Sequence, residues 1–165
     1  MKKWFTRIIL LVVLGALGYW GWGVFFPSPE KVIRKRLETL AREASSSPKE
    51  GVLAKAWNAT LLADYFTLDV QVTITVPGWP EGISGRDELM QYAVIARTRF
   101  PDLKIAFPDI NVAVAPDKES AVVNLTARGK TPEQKEFYLQ ELRLRMIKVK
   151  RTWLIKEIVT VRTLS

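Results

Sequence analysis

The hydrophobic period of this chain changes at Phe66, and that change limits its fold more than any other feature. Downstream of Phe66, Leu68, Val70, Val72, Ile74 and Val76 alternate with Asp69, Gln71, Thr73 and Thr75. A period of two marks a half-buried strand. Upstream, Ile33, Leu37, Leu40 and Ala44 recur at spacings of four, three and four, the apolar face of a helix, with Arg34, Lys35, Glu38 and Arg42 turned outward. Ser28 is placed to cap this helix, Pro29 fits its first turn, and Glu30 suits the positive end of its dipole. Ser45-Ser46-Ser47-Pro48 interrupts the pattern. Ser47-Pro48-Lys49-Glu50 then reads as a capping box that opens a second helix, with Leu53, Ala56, Trp57, Thr60 and Leu61 on one side.

Beyond the first strand, the residues from Pro77 to Gly82 form a loop rich in proline and glycine. Ser84-Gly85-Arg86-Asp87-Glu88 opens a third helix whose inner face is expected at Leu89, Tyr92, Ala93, Ala96 and Phe100. Strand-like runs follow near 103–115, 120–128, 136–148 and 153–163, with Pro108 marking a bulge or an edge. Pro116-Asp117-Lys118 and the residues between Lys148 and Thr152 read as hairpin turns. The order helix, helix, strand, helix and four antiparallel strands predicts an α+β domain. Its helices pack on one face of a curved, mostly antiparallel sheet.

A different kind of segment precedes this domain. Between Arg7 and Glu30 the only ionisable side chain is the phenol of Tyr19. A helix over 4–26 would reach roughly 34 Å, enough to cross a bilayer core. Lys2 and Lys3 with a small-residue site at Ala16-Leu17-Gly18 also fit a cleaved signal peptide. Tyr19, Trp20, Trp22, Phe25 and Phe26 continue past that site and suit a bilayer interface, so a retained anchor is expected. The chain therefore divides into an anchor, 1–26, and an α+β domain, 27–165. Basic residues flank both ends of the run. Long domains translocate largely regardless of such charge, and Met-Lys-Lys ahead of an apolar run looks like a bacterial export signal. The expected address is a bacterial inner membrane, single-pass, with the domain on the periplasmic side.

The chain has no histidine and no cysteine. That removes Ser-His-Asp and Cys-His nucleophiles, histidine general bases, haem attachment through cysteine and nearly every zinc site. No metal or cofactor is expected. The net charge of +8 is basic, but no glycine-rich phosphate loop, zinc-ligand set or stacking motif accompanies it, which argues against nucleic acid. Lys31, Arg34, Lys35 and Arg36, just outside the apolar run, are candidates for contact with anionic headgroups.

Several stretches, in order, resemble the nuclear-transport-factor-2-like superfamily, also called SnoaL-like. YFTLDVQVTI looks like the family's strand after its second helix, and GISGRDELMQYA like the start of its third helix. FPDLKIAFPDI, DKESAVVNLTARG and WLIKEIVTV resemble its last strands. The resemblance implies a cone-shaped roll with a pocket between three helices and the sheet. Family isomerases and dehydratases use an Asp base on the first strand, or Asp-His and Tyr pairs. The first of these falls here at Ile74, or beside it at Thr73 or Thr75, and the histidine is missing, so no catalytic residue carries over.

What remains is a set of contact candidates. Tyr65, Trp79, Tyr92 and Tyr138 could line a pocket mouth, and Arg143 or Arg145 could hold an acidic ligand. Against that, Trp57, Tyr92, Phe100 and Trp153 sit at core-like spacing. Glu141, Arg143 and Arg145 alternate with Leu142, Leu144 and Met146, as the polar face of a sheet should. The first functional expectation is a membrane-anchored, non-catalytic binding or assembly module of the cell envelope. It would meet a partner protein or a small apolar ligand, with a homodimer as another arrangement. The alternative is an isomerase, lyase or hydrolase of the SnoaL-like type, using a buried carboxylate and a tyrosine, with Glu141 and Glu157 as the available acids. A third reading has a cytosol-facing tether binding anionic lipid or RNA through the basic first helix.

Overall fold

The computed structural model describes residues 12–13, 27–47, 49, 51–75, 80–132 and 138–161. Apart from Val12 and Val13, the apolar N-terminal run lies outside the described residues, as do Trp79 and part of the expected capping box. Among the described residues no helix is long and apolar enough to cross a membrane.

Helix α1, Pro29–Ala44, forms where its proline and its apolar spacing place it. Ile33, Leu37, Leu40 and Ala41 are buried, and Ala44 packs beside them. Ser28 stands at the N-cap position without a side-chain cap. Glu30 takes over that work: the hydrogen bond from its own backbone N–H, and then one from the Ser28 hydroxyl, hold its carboxyl below the ordinary value.

Helix α2, Val52–Leu62, starts after Gly51 rather than at the expected serine cap. Its orientation corrects the expectation drawn from spacing. The inward side chains are Ala59 and Leu62. Leu53, Trp57 and Leu61, the face expected to be core, are exposed at 87%, 67% and 41%. Trp57 is therefore a surface residue. α2 packs on α1 and on α3, Arg86–Arg99, which lie between it and most of the sheet. α3 begins behind Gly85, at φ 89, a backbone region open to glycine. Leu89, Met90, Tyr92 and Ala93 pack against the core, and Arg97 is buried on the same helix.

A 3-10 turn, Ala63–Tyr65, leads into β1, Phe66–Thr73. The remaining strands are β2, Gly82–Ser84; β3, Lys104–Ala106; β4, Ile110–Val114; β5, Ser120–Lys130; β6, Tyr138–Val149; and β7, Thr152–Thr160. The sheet runs β2-β1-β7-β6-β5-β3, and β4 also pairs with β5. Every pairing is antiparallel except β1 with β7, which is parallel. The run expected as one strand over 103–115 is split at Phe107-Pro108-Asp109, so β3 and β4 take different stretches of β5. β2 is too short to carry a period of its own, and its pairing with β1 places it in the sheet.

The register of β1 shifts between Phe66 and Gln71. Five residue steps of β1 there oppose two of β7, so the inward-outward alternation breaks locally before it resumes at Val70. Hence Phe66, Val70 and Val72 are buried while Leu68, expected inside, is 71% exposed. With Val123, Leu125, Leu144, Met146, Trp153 and Ile155 from β5 to β7, these side chains meet Ile33 and Leu37 of α1 in one core. Burying each large apolar side chain is worth about 1.5–3 kcal/mol.

Two serines join α1 to the edge of the sheet. The Ser46 hydroxyl donates to the Phe100 carbonyl at 2.7 Å and accepts from the Leu103 N–H at 2.9 Å. The Ser46 backbone N–H donates to the Leu103 carbonyl at 2.8 Å. The Ser45 hydroxyl donates to the Ala41 carbonyl and accepts from the Ile105 N–H, both at 2.9 Å. The chain break expected at these serines is real, and it also ties the short strand β3 to the helix layer.

Candidate functional site

The interior of the cone, where the resemblance places a pocket, is occupied by apolar side chains. Val70, Val72, Leu144, Met146, Trp153 and Ile155 line it and are all buried. The position expected for a first-strand base, Ile74, is half-buried and packs on this core, and Thr73 and Thr75 are exposed.

A polar constellation borders this apolar core. Tyr65 is buried at the end of the 3-10 turn, and its ring lies under the Arg36 guanidinium at 4.5 Å. Burial, followed by a hydrogen bond to Glu43, raises the Tyr65 hydroxyl above the ordinary tyrosine value. Arg36 also donates to the Asp64 carbonyl, and Arg97 donates to the Glu43 carbonyl. The group joins α1, the turn and α3. Chemically, a tyrosine in this state is a proton donor rather than a base. Sequence reasoning picks out Tyr65 but misses Glu43 and Arg97, which lie more than twenty residues from it along the chain. Of the four basic residues expected at the membrane surface, Arg36 is half-buried, while Lys31, Arg34 and Lys35 are exposed on α1.

Among the described residues, three of the grooves that open on the surface are well formed. One of about 590 Å³ lies between the end of α1 and β3, beside Glu38, Arg42, Ser45 and Lys104. Another of about 580 Å³ separates α2 from α3 and is lined by Ala56, Thr60, Asp64, Arg86, Asp87 and Met90. The third, about 380 Å³, lies on the sheet beside Asp109, Asn111, Asn124 and Glu141. None of the three is lined by Tyr65, Tyr92 or Tyr138. The structure does not gather those tyrosines into one mouth: Tyr65 is buried, Tyr92 is half-buried against the core, and Tyr138 is exposed at the start of β6.

The outward face of the sheet carries the expected polar ladder. Glu141, Arg143 and Arg145 are exposed and opposite Thr126, Asn124 and Val122 of β5. Arg143 donates to the Asn124 side chain at 3.1 Å, and Arg145 pairs with Glu157 at 3.3 Å. Next to Glu157, Lys156 pairs with Asp69 at 3.4 Å. Both arginines are thus engaged by neighbours on the same sheet, which fits cross-strand pairing better than a ligand clamp. Glu157 is held at the surface by Arg145. Among the described residues no group of three or more Asp and Glu side chains is placed to hold a metal ion.

No protein-family model and no curated protein matches the sequence. Solved structures do. The yeast UBP3-associated protein BRE5 aligns with a TM-score of 0.63 at 11% identity, over 84% of this chain and 100% of that one. A putative scytalone dehydratase from Novosphingobium aromaticivorans aligns at 0.59 and 15% identity, over 81% and 83%. An NTF2-like protein of unknown function from Pseudomonas putida aligns at 0.58 and 7% identity, over 79% and 87%. At these identities the likeness establishes the fold alone: three helices on a curved mixed sheet, the NTF2-like cone. One fold of this kind supports unrelated functions.

Proposed function

We propose that this chain is a membrane-anchored, non-catalytic binding or assembly module of the cell envelope, with the domain on the periplasmic side. The observation that carries the reading is the cone interior, where Val70, Leu144, Met146, Trp153 and Ile155 occupy the space a substrate would need. Binding is then left to the outward surfaces, above all the Glu141–Arg143–Arg145 face of the sheet, where a partner protein or second copy of the chain would dock. The apolar run at 4–26, without a charged side chain after Arg7, supplies the tether, and its aromatic ends support retention over cleavage.

Three measurements test this. The full chain should stay in the membrane pellet under alkaline carbonate, and its domain should be digested by protease added to spheroplasts. A photo-crosslinking residue at Arg143 should yield a discrete adduct in intact cells. Carbonate release refutes the tether, full protection from protease refutes the periplasmic side, and no adduct from the sheet face refutes the docking surface.

A second reading rests on the Tyr65–Glu43 hydrogen bond, which supplies the carboxylate and tyrosine of a SnoaL-like enzyme. In that case Tyr65 would donate a proton and Glu43 accept one. Turnover of a carbonyl or hydroxylated substrate that falls in parallel in Glu43→Gln and Tyr65→Phe would favour it.

A further inference from the structure

We propose that α2 is seated on a lipid surface, with its Leu53–Trp57–Leu61 stripe dipping into the interface of the bilayer that tethers the chain; the inference rests on the membrane-anchored reading above. These residues recur every four positions, so they form one line along the helix. They sit roughly 200° round the helix from the inward Ala59 and its neighbours at 3.6 residues per turn. Their exposures of 87%, 67% and 41% place the line in the open, outside the groove between α2 and α3. Single exposed apolar residues are ordinary; three aligned on one helix, with a tryptophan in the centre, mark a contact surface.

Reach, charge and area all point to lipid as the occupant. The apolar run ends at Phe26, and only Pro27 and Ser28 separate it from α1. Two residues span at most about 7 Å. α1, against which α2 packs, is only about 24 Å long, so α2 cannot leave the neighbourhood of the bilayer. Helix α2 contains no acidic residue, and the exposed Lys31, Arg34 and Lys35 of the adjoining helix favour anionic headgroups. The nearby acids Asp64 and Asp87 line the groove toward α3 instead of the stripe. A tryptophan flanked by leucines suits the interfacial region, as in helices that lie in the plane of a membrane. A second copy of the chain fits less well: a tryptophan buries about 150–250 Å², and three side chains fall well short of the ~800 Å² per partner of a stable interface.

The absence of cysteine gives a clean test. Leu53→Cys, Trp57→Cys and Leu61→Cys in the full chain each carry one nitroxide label after reconstitution into vesicles containing phosphatidylglycerol. Pro101→Cys, exposed in the turn after α3, serves as the aqueous reference. The expected result is an oxygen-to-nickel accessibility ratio several-fold higher at the three α2 positions than at Pro101. Nickel access at all three equal to that at Pro101 would overturn the seat. So would low access to both reagents with dipolar broadening at position 57, which would give the face to a second copy. Alkaline carbonate reads the tether separately. A chain that resists extraction with its α2 labels in water overturns the seat alone, and a released chain overturns the tether and the seat together.

Discussion

Replacing Ser46 by alanine should cost the domain far more than a loop serine ordinarily would. Its hydroxyl is buried, donates to Phe100 O at 2.7 Å and accepts from Leu103 N at 2.9 Å. Alanine removes both contacts and leaves a carbonyl and an N–H facing a methyl group. An unsatisfied buried polar group costs about 1–3 kcal/mol, so the loss from the two groups is expected at about 2–4 kcal/mol. Ser47, half-buried and one residue on, provides the control: Ser47→Ala should stay within about 0.5 kcal/mol of the parent. Urea unfolding of the full chain in detergent, followed by the circular dichroism of its sheet and helices, gives the shift in midpoint. Hydrogen exchange supplies the local readout. The Leu103 amide should lose protection in Ser46→Ala, while amides of β5 and β6 change only with global stability. A loss below about 0.5 kcal/mol with Leu103 still protected would refute the reasoning. It would mean that the backbone pair from Ser46 N to Leu103 O holds the edge strand by itself.

Further outcomes can be checked on the same protein. Ile33→Ala, deep in the core, should lose about 2–5 kcal/mol in urea unfolding, whereas Trp57→Ser, on the exposed stripe, should move stability by no more than about 0.5 kcal/mol. The turn between β6 and β7 holds Lys150 at φ 47 and Arg151 at φ 71, a left-handed pair normally filled by Asn-Gly. Lys150→Asn with Arg151→Gly should therefore stabilise by about 0.5–1 kcal/mol, read as a rise in melting temperature. Asp117 accepts from the Glu119 and Ser120 N–H groups, which hold its carboxyl below the ordinary value. Its contribution is present above the unfolded carboxylate value and is lost as pH falls through the lower folded one, so Asp117→Ala should destabilise at neutral pH and converge with the parent in acid. Tyr65 runs the other way, because its folded value is raised. The parent should lose stability as pH rises past the ordinary tyrosine value of about 10, and Tyr65→Phe should show a shallower alkaline decline in melting temperature.

The order of the elements and much of the core were legible in the sequence. Ile33, Leu37 and Leu40 are buried as their spacing required, Trp153 is core, and Pro116-Asp117-Lys118 turns the chain between β4 and β5. The polar face at Glu141, Arg143 and Arg145 was equally legible, because a strand with one buried side must alternate. The lack of histidine and cysteine is a property of composition, so it excludes most nucleophilic and zinc chemistry whatever the fold. Three other matters were settled only by packing. Periodicity shows that a helix has an apolar face but not which layer covers it, so Trp57 reads as core and emerges at the surface. The irregular stretch of β1 between Phe66 and Gln71 turned Leu68 outward, and such a bulge leaves no mark in hydrophobicity. Glu43, Tyr65 and Arg97 meet only because α1, the 3-10 turn and α3 pack together. A pattern local in sequence carries no record of such distant contacts.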